Sequence, residues 1–561
     1  MRIAAFLTAT ATACLLAGTA SSASASAPGE SPVNLDAVFG TLAPTGPGCV
    51  AGVATKGGAI VSKAYGQADL EHPDPLTPDS VFETGSLAKQ FTAAAVQLLA
   101  QDGKLTLDDD IRRYLPELPA YGAPITIRNL LNHTSGLREQ WSLLALTGNG
   151  PGTQVHSPAM ILDLASRQKG LNFTPGAEFQ YINTNYTLAG IIVERVSGQS
   201  LQQFTDQRLF QPLGMSHTRW REDFRTVVPG RATAYAPADE GFVAAMPFTN
   251  AVGNGGLLTT VGDLLRWNAF LDAPSVLPGG PALATALQTP GRLSNGAPLD
   301  YALGLGVTRE HGRRLVSHDG STGGYKTWLA RYPDQGISVA VMCNNGGVNP
   351  IALGQKVADQ ALRAAGYSVD ETAVPASSPA ASTAAAAPAD LTPYQGLFRN
   401  PITGELVQTE VANGQLTMKQ GATQPLVPLG GARFQRADGA DVRFVPTGRS
   451  PAELVLSQGD RTSRFVSVQP AQGGSEALAA YVGTYYSAEL DARISVVQQG
   501  DALVMRQPFA VEWKLSPSFA DGFTTRLRGM TTLVFSRATD GQVVGFGAWP
   551  YGARDVRFVR E

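Results

Sequence analysis

The stretch Phe82-Glu83-Thr84-Gly85-Ser86-Leu87-Ala88-Lys89-Gln90-Phe91 decides how this chain is read. Phe82 to Gly85 is a turn signal. A helix pattern follows, with Phe91, Ala95, Leu98 and Leu99 on one face and Gly103 past its end. Ser86 therefore sits at a helix N-terminus, among backbone N–H groups with no intrahelical acceptor and at the positive end of the dipole. That is a favourable place for an oxyanion. Lys89 lies one turn later on the same face, where its amine reaches the Ser86 hydroxyl. A desolvated lysine has a lowered pKa and acts as a base. Taken alone, Ser86 also reads as an ordinary N-cap. A second Ser-x-x-Lys, Ser166-Arg-Gln-Lys169, lies near the end of a helix-like segment starting at Met160 and stopping before Gly170. The dipole there has the wrong sign, so it is rejected.

Two further stretches carry chemistry. In Phe173-Thr-Pro-Gly176-Ala-Glu-Phe-Gln-Tyr181-Ile-Asn183, Tyr-x-Asn places a phenol and an amide side by side in a turn, ahead of an apolar helix over 191–196. The phenol can relay a proton and the amide can hold a carbonyl. In His318-Asp319-Gly320-Ser321, glycine on a late strand lets a substrate backbone come close, and the Ser321 N–H can act as a second oxyanion donor. Each stretch also has a plain reading, as a packed tyrosine or a packed histidine. His72, His156, His217 and His311 have no comparable setting and read as surface or structural.

In this order the three stretches resemble the serine β-lactamase and penicillin-binding protein superfamily, most closely its class C β-lactamase-like branch of D-aminopeptidases, DD-peptidases and esterases. Ile127-Arg-Asn-Leu-Leu-Asn-His133-Thr-Ser-Gly136-Leu, Pro212-Leu-Gly-Met215 and Gly253-Asn-Gly-Gly-Leu-Leu-Thr-Thr260 add to the likeness, which covers about 35 to 365. The resemblance implies an antiparallel sheet flanked by helices, an α/β (α+β) fold. It implies Ser86 as nucleophile, with Lys89 and Tyr181 sharing base and proton-shuttle work. It further implies Asn183 on the acyl side chain's amide and an oxyanion hole from the N–H groups of Ser86 and Ser321. His133 is structural in this reading. His318 is taken as a fourth catalytic residue, and it and Asp319 stand where many relatives carry Lys and Thr. A histidine largely neutral at pH 7 beside a carboxylate is a poor receptor for a substrate carboxylate, so Asp319, Gly320 and Ser321 are expected to receive an amide, ester or free-amine substrate. The superfamily's first strand is antiparallel to its last, which implies a disulfide between Cys49 and Cys343.

The chain has 561 residues, 43% hydrophobic and 16% charged, with a net charge of −3, which is globular composition. The near-neutral charge and the absence of basic runs argue against nucleic-acid binding. With three cysteines and no zinc-spaced cluster, neither a disulfide scaffold nor a metal or other cofactor is implied. Residues 1–27 read as a signal peptide: Met1-Arg2, an apolar stretch over 3–20, and small-x-small sites at Ala23-Ser24-Ala25 and Ala25-Ser26-Ala27. Export to a periplasm or the medium is expected, without a stable membrane span after processing. An N-terminal anchor is the bland alternative, and Cys14, with Ala11 three residues before it, is a poor lipidation site.

Residues 28–368 mix helix and strand patterns, and 369–391 form an Ala/Pro/Ser linker. Residues 392–470 and 474–561 read as two all-β units, closed barrels or sandwiches. The units repeat one another: Leu391-Thr-Pro-Tyr394-Gln-Gly396-Leu-Phe398 returns as Leu478-Ala-Ala-Tyr481-Val-Gly483-Thr-Tyr485, and Leu416-Thr-Met418 as Leu503-Val-Met505 at the same offset. This arrangement resembles the paired barrels that follow the catalytic domain in D-aminopeptidases. The expected function is an exported serine hydrolase that forms an acyl-enzyme with D-amino-acid-containing peptides or amides, or small esters, its partners being small-molecule or peptide substrates including peptidoglycan fragments. Two alternatives stay open, a β-lactamase and a non-hydrolytic penicillin or cell-wall sensor.

Overall fold

A computed structural model describes residues 33–56, 60–369, 388, 390–447, 450–458, 461–471, 475–508 and 511–561. The expected signal peptide over 1–27, most of the linker over 369–391 and the Gly-Gly of the first turn lie outside the described residues. Six strands, β1 (Cys49–Thr55), β2 (Val61–Tyr65), β3 (Gly306–Glu310), β4 (Arg313–Thr322), β5 (Tyr325–Tyr332) and β6 (Ile337–Cys343), form one antiparallel sheet in the order β3-β4-β5-β6-β1-β2. The half-exposed edge strand β3 is an addition to the sequence reading, because its Thr and Arg/Glu residues give no apolar alternation.

The helices that matter for the site are α1 (Lys89–Gln101), α2 (Gln140–Leu146), α3 (Asn183–Ser197), α4 (Val261–Asp272) and α5 (Pro350–Ala364). Alternate residues of β1 and β6 feed two cores. Val50, Ala340 and Met342 join the one that holds α1, α3 and α4, whereas Ala51, Val53, Val339 and Val341 join the one under α5. Close approach is built in on both faces. A Cβ at Gly52 would sit 2.5 Å from Val261 on α4, and one at Gly354 of α5 would sit 2.1 Å from the Trp328 ring.

Two helix expectations are corrected. The apolar stripe on α1 suggested one buried face, yet every residue from Lys89 to Leu99 is buried, and Lys89 lies inside the protein. The helix expected over 191–196 begins at Asn183. Tyr-x-Asn is therefore a junction rather than a free turn, with Asn183 the first helical residue.

Cys49 and Cys343 are directly paired across β1 and β6 and form a disulfide. Both are fully buried. Replacing both with Ala is expected to lower stability by about 2–4 kcal/mol, the usual range for loss of a native bridge. Denaturant unfolding with and without reductant checks this. A midpoint that moves in neither case would show that the sheet does not depend on the bond.

The two C-terminal units are closed barrels of eight strands each, spanning Gly396–Arg399 to Arg461–Val468 and Gly483–Ser487 to Val556–Arg560. The repeated positions fall in equivalent interior places: Phe398, Leu416 and Met418 in the first core, and Tyr485, Leu503 and Met505 in the second. The second barrel shares its core with the first domain through Leu143, Leu144, Ile161 and Leu164. Arg138 clamps the junction. It pairs with Glu489 at 2.9 Å, both side chains nearly buried, and donates to the Arg554 carbonyl at 2.8 Å. The first barrel leans on the second, where Thr532 donates to the Gly404 carbonyl and Arg399 stacks on Trp549. Among the described residues no helix is long and apolar enough to cross a membrane.

Candidate active site

Gly85 has φ +56, a left-handed conformation that glycine adopts freely, and it turns the chain from a short strand into the 3-10 turn Gly85–Ala88 that opens α1. Ser86 is thus in the first turn, where its N–H has no intrahelical acceptor. The Lys89 amine reaches back to the Ser86 Oγ at 3.0 Å. It also contacts the Asn183 Oδ1 at 2.8 Å and the Asn254 carbonyl at 2.7 Å.

Burial brings the Lys89 pKa down to about 7, against the opposing pull of the Glu139 and Asp319 carboxylates. A neutral amine has two hydrogens and one lone pair. Asn254 offers a carbonyl, which only accepts. The Asn183 amide is oriented by its other arm, because Nδ2 donates to the Glu139 Oε1 at 3.0 Å. Both oxygens therefore take the two amine hydrogens, and the lone pair faces the Ser86 hydroxyl. In that state the serine is the donor, as proton transfer to Lys89 requires.

Asn183 is consequently engaged on both sides, its oxygen by Lys89 and its nitrogen by Glu139, with one N–H left for a bound carbonyl. Its backbone N–H also donates to the Glu139 Oε2 at 2.6 Å. Glu139 is a residue the sequence reading missed. Its carboxyl is buried and its pKa raised by that burial, with the Asn183 hydrogen bonds working the other way. Nothing in the local sequence marks it, since its partner is 44 residues away.

Tyr181 is held by the segment that carries it. Gln180 donates to the His133 carbonyl, Ile182 donates to the His133 Nδ1 at 3.2 Å, and the His133 ring lies 4.3 Å from the phenol ring. The structural reading of His133 agrees with this clamp. The Lys89 amine is 4.9 Å from the Tyr181 ring centre. Burial holds the phenol well above its ordinary pKa, and the Ser86 hydroxyl eases it back. The phenol oxygen is buried near the Ser86 hydroxyl without a hydrogen bond of ordinary geometry, which suits a group that relays the serine's proton.

Strand β4 alternates His318 and Gly320 inward with Asp319 and Ser321 outward. Gly320 is where the strand touches the nucleophile turn. A Cβ there would lie 1.9 Å from the Thr84 carbonyl and 3.1 Å from the Ser86 nitrogen, and one on Gly85 would lie 2.6 Å from the Ser321 nitrogen. Thr327 ties the seam by donating to the Thr84 carbonyl at 2.7 Å. The N–H groups of Ser86 and Ser321 are thus brought to one edge of the pocket.

His318 is placed beside Tyr181, with 6.0 Å between ring centres. Its Nδ1 lies 2.6 Å from the Asp319 carbonyl, which can only accept, so Nδ1 carries the proton. Its Nε2 then accepts from the Tyr301 hydroxyl at 3.0 Å. Burial and the Lys89 charge bring its pKa to about 4. His318 is neutral with both nitrogens engaged, and it fixes strand and tyrosine rather than offering a donor to a ligand. Two neighbours escaped the sequence reading. Tyr301 comes from a loop without a pattern, and Lys326 on β5 donates to the Ser321 Oγ at 2.8 Å.

These groups open into a pocket of about 410 Å³ that includes Ser86, Asn183, Ser321, Trp141 and Arg528. Arg528 belongs to the second barrel. Glu83, also on the wall, is neutralised by Arg221 and Arg231, with contacts at 2.9 and 3.1 Å. Among the described residues no group of three or more His, Cys, Asp or Glu is placed to hold a metal ion.

Residues 40–364 match the Beta-lactamase family model. The D-aminopeptidase of Brucella anthropi is 27% identical over 534 residues, covering 92% of this chain and 95% of that protein. The D-aminopeptidase of Brucella ovis is 26% identical over 530 residues, covering 92% and 96%. Alignments covering 92% of the chain extend beyond the catalytic domain into the barrels. Among solved structures, the octameric penicillin-binding protein homologue from Pyrococcus abyssi superposes with a TM-score of 0.52 at 23% identity, over 76% of this chain and 96% of that one. The D-amino acid amidase from Ochrobactrum anthropi SV3, complexed with L-phenylalanine, gives 0.50 at 24% identity, over 59% and 98%. These two likenesses bear on the fold alone.

Proposed function

We propose that this chain, which belongs to the Beta-lactamase family and is a serine hydrolase, cleaves D-amino-acid-containing peptides and amides, or small esters, through an acyl-enzyme on Ser86. The observation that carries the reading is the Lys89 amine, held by Asn183 and Asn254 so that its lone pair meets the Ser86 hydroxyl. Ser86 Oγ attacks the substrate carbonyl as its proton passes to Lys89. The tetrahedral oxyanion is held by the Ser86 and Ser321 N–H groups. The proton goes on, with Tyr181 as relay, to the leaving nitrogen or oxygen, whose bond to the carbonyl carbon breaks. Water then attacks the acyl-enzyme by the same route in reverse order of roles, releasing the acid and restoring Ser86. The D-aminopeptidase relatives support the substrate class.

The test is turnover of D-aminoacyl p-nitroanilides against their L-enantiomers, with a fluorophosphonate probe mapped by mass to Ser86. Turnover of the L-series alone would overturn the substrate class. A lasting penicillin adduct without turnover would favour the sensor, and penicillin turnover typical of a dedicated lactamase would favour that activity. Export is proposed on the apolar segment over 3–20 and on the disulfide, a bond of oxidising compartments. The mass of the mature N-terminus tests it.

The pKa of Lys89 sets the pH dependence. Its charged form predominates below about 7 and cannot accept the Ser86 proton. Activity, kcat/KM, is therefore expected to rise with pH through about 7. Asp319 raises the Lys89 pKa, so Asp319→Asn is expected to move that limb to lower pH. An unmoved limb would assign it to another group.

A further inference from the structure

The pocket wall contains one positively charged side chain among the described residues that line it, and the first domain does not supply it. Arg528 comes from the loop between strands Gly522–Thr525 and Thr531–Arg537 of the second barrel. The loop is built to present it. Leu527, 1% exposed, anchors the turn in the core shared with Leu143 and Leu144, and Thr531 donates to the Leu527 carbonyl at 2.8 Å. Arg528 itself has φ +45, a left-handed conformation uncommon outside glycine.

The guanidinium has no hydrogen bond or ion pair with the described residues. It feels the Glu139 carboxyl and the Tyr551 hydroxyl through space, and burial alone works to lower its pKa. Glu139 bonds Asn183, and Tyr551 donates to the Tyr181 carbonyl. Both therefore lie on the Tyr181–Asn183 side of the site. The other candidate cations are taken. Lys89 is bound to Ser86, Lys326 to Ser321, and His318 is neutral. Arg528 is an exposed five-donor fork on the wall of the pocket that holds the nucleophile, and it fits a carboxylate with two parallel bonds.

We propose that Arg528 selects substrates carrying an anionic group on the acyl half, such as an N-acyl D-amino acid capped by a dicarboxylic acid, over substrates with a free α-amine, which the guanidinium repels. This rests on the acyl-enzyme reading of Ser86 and adds the charge of the acyl half. Chemistry and selection are thereby divided between two domains.

Three matched D-phenylalanine p-nitroanilides test it: free amine, N-acetyl and N-succinyl. The N-succinyl compound is expected to be at least about tenfold better in kcat/KM than the N-acetyl one. That advantage should shrink with added salt. Arg528→Gln should bring the ratio near one, Arg528→Glu should reverse it toward the free amine, and Arg528→Lys should keep part of it. Because the N-acetyl compound is the reference within each variant, a general loss of folding or activity cancels. Turnover of all three with no charge preference, or a ratio unmoved in Arg528→Gln, would overturn the inference and leave the hydrolase standing. No turnover of any, with no probe on Ser86, would overturn the acyl-enzyme reading and the inference with it.

Discussion

Ser86→Ala is expected to abolish covalent labelling and to lower kcat/KM on the order of 10⁶-fold, the scale seen when a hydrolase loses its nucleophile. Alanine keeps the turn, because Ser86 is not held there by its side chain. Gly85 provides the left-handed backbone, and the 3-10 turn carries the N–H groups. The oxyanion donors survive without the attacking oxygen, so residual catalysis reports what they supply alone. Lys89→Met should cost less, roughly 10²–10⁴-fold, the range for general acid–base groups. It should also erase the acidic limb near pH 7, whereas a substitution that only disturbed packing would leave the limb in place. Methionine is apolar and unbranched, which suits a position that is 0% exposed. Probe labelling, pH profiles and thermal unfolding of both variants check these outcomes. A Ser86→Ala protein that still forms an adduct would remove Ser86 from the mechanism.

Gly320→Ala is the second large effect. The added methyl would lie 1.9 Å from the Thr84 carbonyl and 2.4 Å from the Thr327 hydroxyl, distances that no side-chain rotation can relieve at a backbone oxygen. The seam between β4 and the nucleophile turn must open, and the Ser86 and Ser321 N–H groups separate. Loss of one oxyanion donor costs about 10²–10³-fold in kcat, and Gly320→Ala misplaces two at once, so a fall of at least that size is expected. KM should change less, because Trp141 and Arg528, which also line the pocket, belong to neither β4 nor the nucleophile turn. A variant with wild-type kcat would show that the seam does not align the donors. Circular dichroism separates that result from simple unfolding.

The sequence was legible where function and local geometry coincide. Ser86 and Lys89 are one helical turn apart, so their meeting is written in the spacing itself. The Cys49–Cys343 bond followed from knowing which strands pair. The repeated Tyr-x-Gly stretches and Leu-x-Met pairs located both barrels, because barrel interiors demand the same alternation twice. The limits of α3 were misread because Asn183-Thr-Asn-Tyr-Thr is polar in pattern and yet buried from Thr184 on, its hydroxyls and amides satisfied by Ser135 and by Gln140 at the start of α2. Tertiary contacts, not periodicity, make it helical. The role of His318 was obscured for a similar reason, since burial and the Lys89 charge keep it neutral and its Nε2 is taken by Tyr301, whose position no pattern announces. Glu139 and Arg528 were illegible outright. One acquires its meaning from Asn183, and the other from a domain that folds separately in the sequence but closes the pocket in space.

The clamp on Arg138 also sets a timetable. Its acceptors at Arg554 and Asp555 lie 416 and 417 positions later in the chain, and the neighbouring Glu139 N–H waits on the Gly552 carbonyl. At about 5–20 residues per second, those partners emerge from the ribosome on the order of a minute after the loop they complete. The loop that seats Asn183, and through it Lys89, is therefore unfinished for most of synthesis. A nascent chain holds its nucleophile and its lysine long before it holds the contacts that complete the loop behind Asn183.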